Sequence, residues 1–165
     1  MIIEPLQNDD DARACAAMMC TTDPWLLLGR GFDECLRVVT DATCETYVAR
    51  ENGAVRGFII LNMRGAFVGY IRIICVDADA RGSGLGSQLV AFAEERIFRE
   101  TPNVFLCVSS FNPRARALYE RLGYEFVGEL KDYIVRGASE ILMRKTIGPL
   151  SSRAFPSHPA RPDEE

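Results

Sequence analysis

The residues between positions 81 and 87 carry the clearest chemical signal in the chain. Gly82, Gly84 and Gly86 come directly after Arg81, between an apolar run and an amphipathic helix pattern. A helix N-terminus presents unpaired N–H groups and a partial positive charge, and glycine lets the backbone approach a ligand closely. This pattern therefore predicts an anion site, most often for phosphate, to which Arg81 and Ser87 add hydrogen-bond donors.

Two common nucleotide motifs fit this turn poorly. A P-loop requires a lysine after its last glycine, and no lysine follows here. A dinucleotide fingerprint would require glycine at position 87, where Ser87 stands, and an acidic residue about 20 residues further on. The next predicted strand instead ends in "VSSFN". Neither nucleotide motif explains the turn.

A second group of polar side chains follows in the segment "NPRARALYERLGY", residues 112–124. Asn112 is a good N-cap and Pro113 an ideal first helical residue. At about 100° per residue, Asn112, Ala115 and Tyr119 share one side of this helix, with Leu118 and Leu122 beside them. The remaining side chains are expected to point to water: Arg114, Arg116, Glu120 and Arg121. Tyr119 is then either a proton donor in a site or a core tyrosine bonded to the backbone.

Together the two segments resemble signatures of the GNAT superfamily of N-acetyltransferases. Arg81, Gly84 and Gly86 match the Arg-x-x-Gly-x-Gly loop that holds the acetyl-CoA pyrophosphate in that family. The other signature, Asn-x-x-Ala-x-x-Leu-Tyr-x-x-x-Gly-Tyr/Phe, is met by Asn112, Ala115, Leu118, Tyr119, Gly123 and Tyr124. The resemblance covers residues 1–147 in element order, and it implies direct transfer of an acetyl group from acetyl-CoA to a primary amine.

The resemblance also implies a set of site residues. Two central strands, one ending at Val76 and the other "NVFLCVSS", would splay apart to admit the pantetheine arm, and Tyr119 would protonate the departing thiolate as general acid. The implied acetyl-CoA contacts are Ile74, Cys75, Val76, Arg81, Gly82, Ser83, Gly84, Leu85, Gly86, Ser87, Asn112, Ala115 and Tyr119. The candidate acceptor contacts are Trp25, Tyr70, Arg72 and Tyr133.

The general base and the acceptor stay open at this point. Several relatives carry a glutamate on one of the central strands, but the matching positions hold Tyr70 and Cys107. A chain of ordered water or another acid, such as Glu129 or Asp132, must then remove the proton. Arg72 either meets an acceptor carboxylate or pairs with an acid of the protein. The acceptor is a protein N-terminus, a lysine or a small-molecule amine.

The order of the predicted elements agrees with this family. Hydrophobic periodicity and turn signals give β-α-α-β-β-β-α-β-α-β-β, an α/β fold with a mixed central sheet of about seven strands and about four helices. Its two hairpins argue against a parallel sheet, and so against an NAD-dependent oxidoreductase. A non-catalytic acyl-CoA-binding module is a further alternative, although a pure binder has no need of an acid at Tyr119.

Composition limits the partners and the compartment. With 165 residues and a net charge of -4, the chain is expected to form one domain over residues 1–147 and to bind neither nucleic acid nor membrane. The N-terminus lacks the pattern of a signal peptide, which favours a cytoplasmic protein. The exposed strand edges of the C-terminal hairpin leave room for a homodimer.

Histidine and cysteine usage narrows the chemistry further. The only histidine, His158, lies in a proline-rich tail over residues 148–165 that is expected to be disordered. Catalytic triads and metal sites that use histidine are therefore not expected, and no metal is predicted. The six cysteines contain no CxxC pair and are interpreted as small core residues.

Overall fold

The computed structural model describes residues 1–151, and a seven-stranded mixed sheet organises them in the order β1-β2-β3-β4-β5-β7-β6. The strands are β1 (Ile2–Pro5), β2 (Glu45–Glu51), β3 (Ala54–Asn62), β4 (Tyr70–Val76), β5 (Asn103–Ser109), β6 (Glu125–Lys131) and β7 (Ser139–Thr146). The helices are α1 (Asp9–Cys20), α2 (Phe32–Val39), α3 (Leu85–Phe98) and α4 (Pro113–Arg121), with a 3-10 turn at Ala78–Ala80. The predicted α/β class and element order are confirmed.

The sheet opens between β4 and β5. These two strands run parallel, and they pair only at Tyr70 with Phe105 and Ile71 with Leu106. The other neighbouring strands are antiparallel and pair over most of their length. Beyond Ile71 the two central strands therefore part, as the family resemblance implies, and each leaves backbone groups facing the gap.

A bulge in β4 determines which face its side chains take. The register with β3 shifts between Ile60, opposite Ile73, and Leu61, opposite Ile71, so that Arg72 has no partner residue. Ile71 consequently packs in the core beneath α3, whereas Ile73 packs in the second core, beneath α1 and α2. The extra residue bends the strand away from β5 at the level where the gap begins.

Gly69 fixes the junction where β4 and β5 meet. Its φ is +83°, and its carbonyl accepts a hydrogen bond from the Phe105 N–H at 2.9 Å. A Cβ at this position would lie 2.5 Å from Ile97 Cγ2 and 2.6 Å from the Asn103 carbonyl oxygen. No side chain fits there without displacing α3 or β5.

Local turn chemistry explains most element boundaries. The Asn112 side chain accepts a hydrogen bond from the Ala115 N–H at 3.1 Å and caps α4. Asn52 and Gly53 take φ values of +51° and +81° in the predicted hairpin between β2 and β3.

The sequence predicts strands over residues 66–78 and 124–135, and both are shorter in the structure. The strand predicted from Ala66 begins only at Tyr70, because residues 63–69 form a turn with positive φ at Gly65 and Gly69. The sixth strand ends at Lys131, where Asp132 turns the chain with φ +53°.

Within residues 1–151 no helix combines the length and the apolar character needed to cross a bilayer. The predicted disorder of the tail falls mostly on residues 152–165, including His158, which lie outside the described residues.

Candidate active site

The gap between β4 and β5 forms a cleft of about 1200 Å³. Its walls are the two strands, the glycine turn before α3, α4, the connection between α1 and α2, and the loop between β6 and β7. Pockets for a single drug-sized ligand usually measure roughly 300–1000 Å³. The cleft is therefore large enough to hold two substrates side by side.

The glycine turn presents a row of open backbone donors to this cleft. Gln88 is the first residue of α3 whose N–H finds a carbonyl of the turn, that of Gly84 at 3.1 Å. Within residues 1–151 no protein acceptor meets the N–H groups of the following residues: Gly82, Gly84, Leu85, Gly86 and Ser87. Such unpaired amides at a helix start, joined by the helix dipole, bind anions.

The same turn leaves physical room for a ligand. Gly82 and Gly84 have φ values of +83° and +88°. A Cβ on Gly82 would meet no atom within 4 Å, and one on Gly84 would meet only Gln88 Nε2, at 4.0 Å. No protein atom therefore crowds the turn at Gly82 and Gly84, and the open donors together with this room are compatible with a phosphate ligand.

The backbone N–H groups of Arg81 and Ser83 are not open to a ligand, although the sequence predicts both residues as acetyl-CoA contacts. The N–H groups of Arg81 and Ser83 donate within the turn, to the carbonyls of Ala78 and Ala80 at 3.3 and 3.4 Å. The Arg81 guanidinium donates to the Val76 carbonyl at 3.3 Å and to Thr22 Oγ1 at 3.1 Å. These two hydrogen bonds link the turn to the end of β4 and to the α1–α2 connection.

The three predicted acetyl-CoA contacts in β4 differ in the direction of their backbone N–H and C=O groups. The Asp77 N–H donates to the Arg56 carbonyl at 2.9 Å, on the side of β3. Since backbone groups alternate along a strand, those of Ile74 and Val76 point to the open side, and those of Cys75 point to β3. Ile74 and Val76 are thus the positions at which β4 can receive an extended ligand.

Tyr119 enters the cleft from α4, together with Asn112 and Ala115. Burial raises the pKa of the Tyr119 phenol to about 12, so the hydroxyl keeps its proton at neutral pH. No protein partner for this hydroxyl occurs in the described part of the chain. Arg114 and Arg121 are exposed, as predicted, and they also line the cleft. The sequence could not show this, because it does not reveal how α4 leans over β5.

The candidate acceptor residues come from three parts of the cleft wall: the α1–α2 connection, β4 and the β6–β7 loop. All four line the cleft: Trp25, Tyr70, Arg72 and Tyr133. The Arg72 guanidinium lies 2.7 Å from Asp41 Oδ2, so its charge is already paired. Hydrogen bonds from Thr43 and Arg72 lower the pKa of Asp41 to about 2. Trp25 is buried and Tyr133 is largely exposed, at the inner and outer limits of this region.

Glu140 is a cleft residue that sequence reasoning missed. It lies near the start of β7, is 6% exposed, and its Oε1 accepts a hydrogen bond from Ser109 Oγ at 2.6 Å. The candidate bases from β6 and its turn, Glu129 and Asp132, do not line the cleft. Asp132 instead accepts a hydrogen bond from the Gly137 N–H at 2.6 Å. In residues 1–151 no cluster of His, Cys, Asp and Glu has the makings of a metal site.

Residues 13–124 match the model of the acetyltransferase (GNAT) family, and they include the glycine turn and the helix that carries Tyr119. The chain belongs to the GNAT acetyltransferase family. It is accordingly an enzyme that transfers an acetyl group to an amine, and the oxidoreductase alternative fails.

Known proteins of this family resemble the chain in sequence and in fold. Blasticidin-S acetyltransferase of Streptomyces morookaense is 31% identical over 100 residues, which are 61% of this chain and 73% of that protein. An aminoglycoside 6'-N-acetyltransferase complexed with coenzyme A shares 20% identity at a TM-score of 0.74, over 99% of this chain and 100% of its own. A ribosomal-protein-alanine N-acetyltransferase from Brucella melitensis shares 21% identity at a TM-score of 0.69, over 89% and 100%. The two solved structures share the fold.

Proposed function

We propose that this acetyltransferase binds acetyl-CoA along the cleft, with the diphosphate on the glycine turn and the pantetheine arm beside β4. The observation that supports this most is the row of open amides between Gly82 and Ser87. Arg114 and Arg121, which also line the cleft, add positive charge that favours the phosphates. The backbone groups of Ile74 and Val76 then serve as hydrogen-bond partners for the extended arm, in place of the missing strand contact.

We propose that the acetyl group passes directly from the thioester of acetyl-CoA to the amine, which becomes an amide. The neutral amine attacks the thioester carbonyl, a C–N bond forms, and the C–S bond breaks. The thiolate that leaves takes a proton from the Tyr119 hydroxyl, which is protonated at neutral pH because burial raises its pKa to about 12. The attacking nitrogen must lose one proton to become the amide, and that proton returns through water to the Tyr119 phenolate. Positioning of the two substrates supplies much of the rate, since it converts a two-body reaction into one within a complex.

For the acceptor we propose a small-molecule amine. The buried Trp25 and Glu140 and the side chain of Tyr70 line the cleft, and such recessed contacts suit a compact molecule better than a folded protein surface. The similarity to a blasticidin-S acetyltransferase supports the same choice. Glu140 adds a negative charge that favours a cationic acceptor.

The acceptor is tested by measuring thiol release from acetyl-CoA with a panel of amines. The panel contains blasticidin S, polyamines, an aminoglycoside, and peptides with a free N-terminus or a lysine. A small amine is expected to give the highest kcat/KM. A peptide that exceeds every small amine tenfold would contradict the choice of acceptor, and silence with all amines would contradict the proposed chemistry.

We also propose that the chain forms a homodimer through β6. Within the described chain β6 is an edge strand, paired only with β7, and its Phe126 and Val127 are 58% and 50% exposed. Light scattering after size-exclusion chromatography should give twice the chain mass of 18.4 kDa. Phe126→Lys should restore the monomer, and a wild-type monomer at micromolar concentration would rule the dimer out.

A further inference from the structure

Glu140 is a buried carboxylate that has no cation beside it. Its residue is 6% exposed, and Ser109 Oγ donates to Oε1 at 2.6 Å. Among residues 1–151 no lysine or arginine lies within 4.0 Å of this carboxylate, and no donor meets its Oε2. A buried charge without an ionic partner is costly. Glu140 thus lowers the stability of the fold at a position that lines the cleft.

Strand pairing places Glu140 on the acceptor side of the sheet. Glu140 lies opposite Ser109 in the β5–β7 register, and its neighbour Ile141 points into the core beneath α3. Glu140 therefore points to the other face, toward the α1–α2 connection. Two acids line the cleft, Asp23 and Glu140, and Asp23 is exposed to solvent. Glu140 is the one held in a water-poor site.

We propose that Glu140 is the catalytic base, which binds the acceptor's ammonium group and takes its proton before attack on the thioester. This inference rests on the proposed function and identifies the missing proton acceptor of that same site. One N–H bond of the ammonium breaks and one O–H bond forms at Glu140 Oε2, which leaves a neutral amine and a neutral carboxyl group. After transfer the proton passes to water, and the carboxylate is restored for the next turnover.

The groups around Glu140 suit this task. Burial raises the pKa of the Glu140 carboxyl, and the hydrogen bond from Ser109 partly opposes that rise. Tyr70 from β4 and Cys107 from β5 face it, with Tyr133 from the β6–β7 loop nearby, and burial raises the pKa values of Tyr70 and Cys107 as well. These two stay uncharged near neutrality. A base with a raised pKa operates efficiently near the pH of the cell.

Glu140→Gln tests the inference with the shape of the side chain preserved, since the amide oxygen can still accept from Ser109. With blasticidin S as acceptor, or with the best amine of the panel, kcat/KM at pH 7 is expected to fall about 100-fold or more. The variant's rate should rise steadily with pH as the free amine forms in solution, without the plateau of the wild type. Calorimetry should give an unchanged Kd for acetyl-CoA.

Two controls separate a base from a structural role. Glu129→Gln removes an exposed acid of β6 that does not line the cleft, and it is expected to leave kcat/KM within twofold. Hydroxylamine, which is already neutral at the assay pH, should react at similar enzymatic rates with wild type and Glu140→Gln once the uncatalysed rate is subtracted. If Glu140→Gln does not fold, Glu140→Asp should keep the wild-type form of the pH profile at a lower kcat.

The outcomes distinguish this inference from the function on which it rests. A Glu140→Gln protein with the wild-type pH profile and rate overturns the role of Glu140 alone. Equal losses with hydroxylamine and with the charged amine do the same, because a base is not needed for the first. A wild-type protein that neither binds acetyl-CoA nor releases thiol overturns the proposed function instead.

Discussion

Tyr119 illustrates how a single side chain gains its chemistry from its surroundings. Its ring packs edge-on against Tyr124, with centroids 5.8 Å apart, while its hydroxyl enters the cleft. Desolvation alone raises its pKa to about 12, which keeps the phenol protonated. In the proposed reaction, the departing thiolate is the group that takes this proton.

Tyr119→Phe removes the hydroxyl and keeps the ring. Turnover is expected to fall at least tenfold, because the departing thiolate loses its proton donor, while the Kd for acetyl-CoA changes little. Steady-state kinetics and calorimetry measure the two effects. Tyr124→Phe is the matched control, since Tyr124 touches the same ring but does not line the cleft, and its turnover should stay within twofold. Equal turnover of wild type and Tyr119→Phe would remove Tyr119 from the reaction.

At the scale of elements, the position of the glycines decides how the cleft is built. Gly65 and Gly69 flank the short loop before β4, and both have positive φ, +92° and +83°. A Cβ on Gly65 would meet nothing within 4 Å, whereas one on Gly69 would meet Ile97, Asn103 and Thr101 closer than 3.0 Å. A comparison of alanine substitutions at the two positions therefore separates the cost of a positive φ from the cost of a steric clash.

Gly69→Ala is expected to lower the free energy of unfolding by about 3–4 kcal/mol, since it adds a clash to the strain. Gly65→Ala should cost only about 1–2 kcal/mol, the strain alone. Urea denaturation of the two variants measures the difference. Equal losses would show that α3 and β5 can shift to admit the methyl group, and that Gly69 does not fix the junction of β4 and β5.

The sequence predicts the elements better than it predicts the site. The order of strands and helices, the Asn52-Gly53 hairpin and the Asn112 cap all follow from local patterns, which act over a few residues. Glu140 could not be predicted in this way, because its burial depends on pairing with Ser109, 31 residues away in the chain. An isolated glutamate near the start of a strand is normally solvated, and nothing local marks this one. The Arg81 contact with Thr22 is equally non-local.

For the whole molecule, Glu140 links stability to function. Its pKa is raised in the folded state, so its contribution favours folding below the unfolded pKa, about 4.3, and is lost as pH rises through the folded value. At pH 7 the ionised carboxylate therefore destabilises the fold. Proteins commonly accept such a cost at sites that need a poorly solvated charge.

Glu140→Gln should consequently melt at a higher temperature than the wild type at pH 7, even as its activity falls. The difference should shrink toward pH 4, where the carboxyl is protonated in both the folded and the unfolded chain. Scanning calorimetry across this range measures it. A variant that is less stable than the wild type at pH 7 would indicate that the Ser109 hydrogen bond outweighs desolvation.

The brief pairing of β4 with β5 has a mechanical consequence. The sheet consists of two halves, β1 to β4 and β5 to β7. Strand pairing joins them at one end of the gap, at Tyr70–Phe105 and Ile71–Leu106. The two halves can therefore move relative to each other, and a long ligand that binds between them restricts that movement. Acetyl-CoA bound there, as we propose, would in this way also limit the movement of Tyr119 relative to Trp25, two residues that line the cleft.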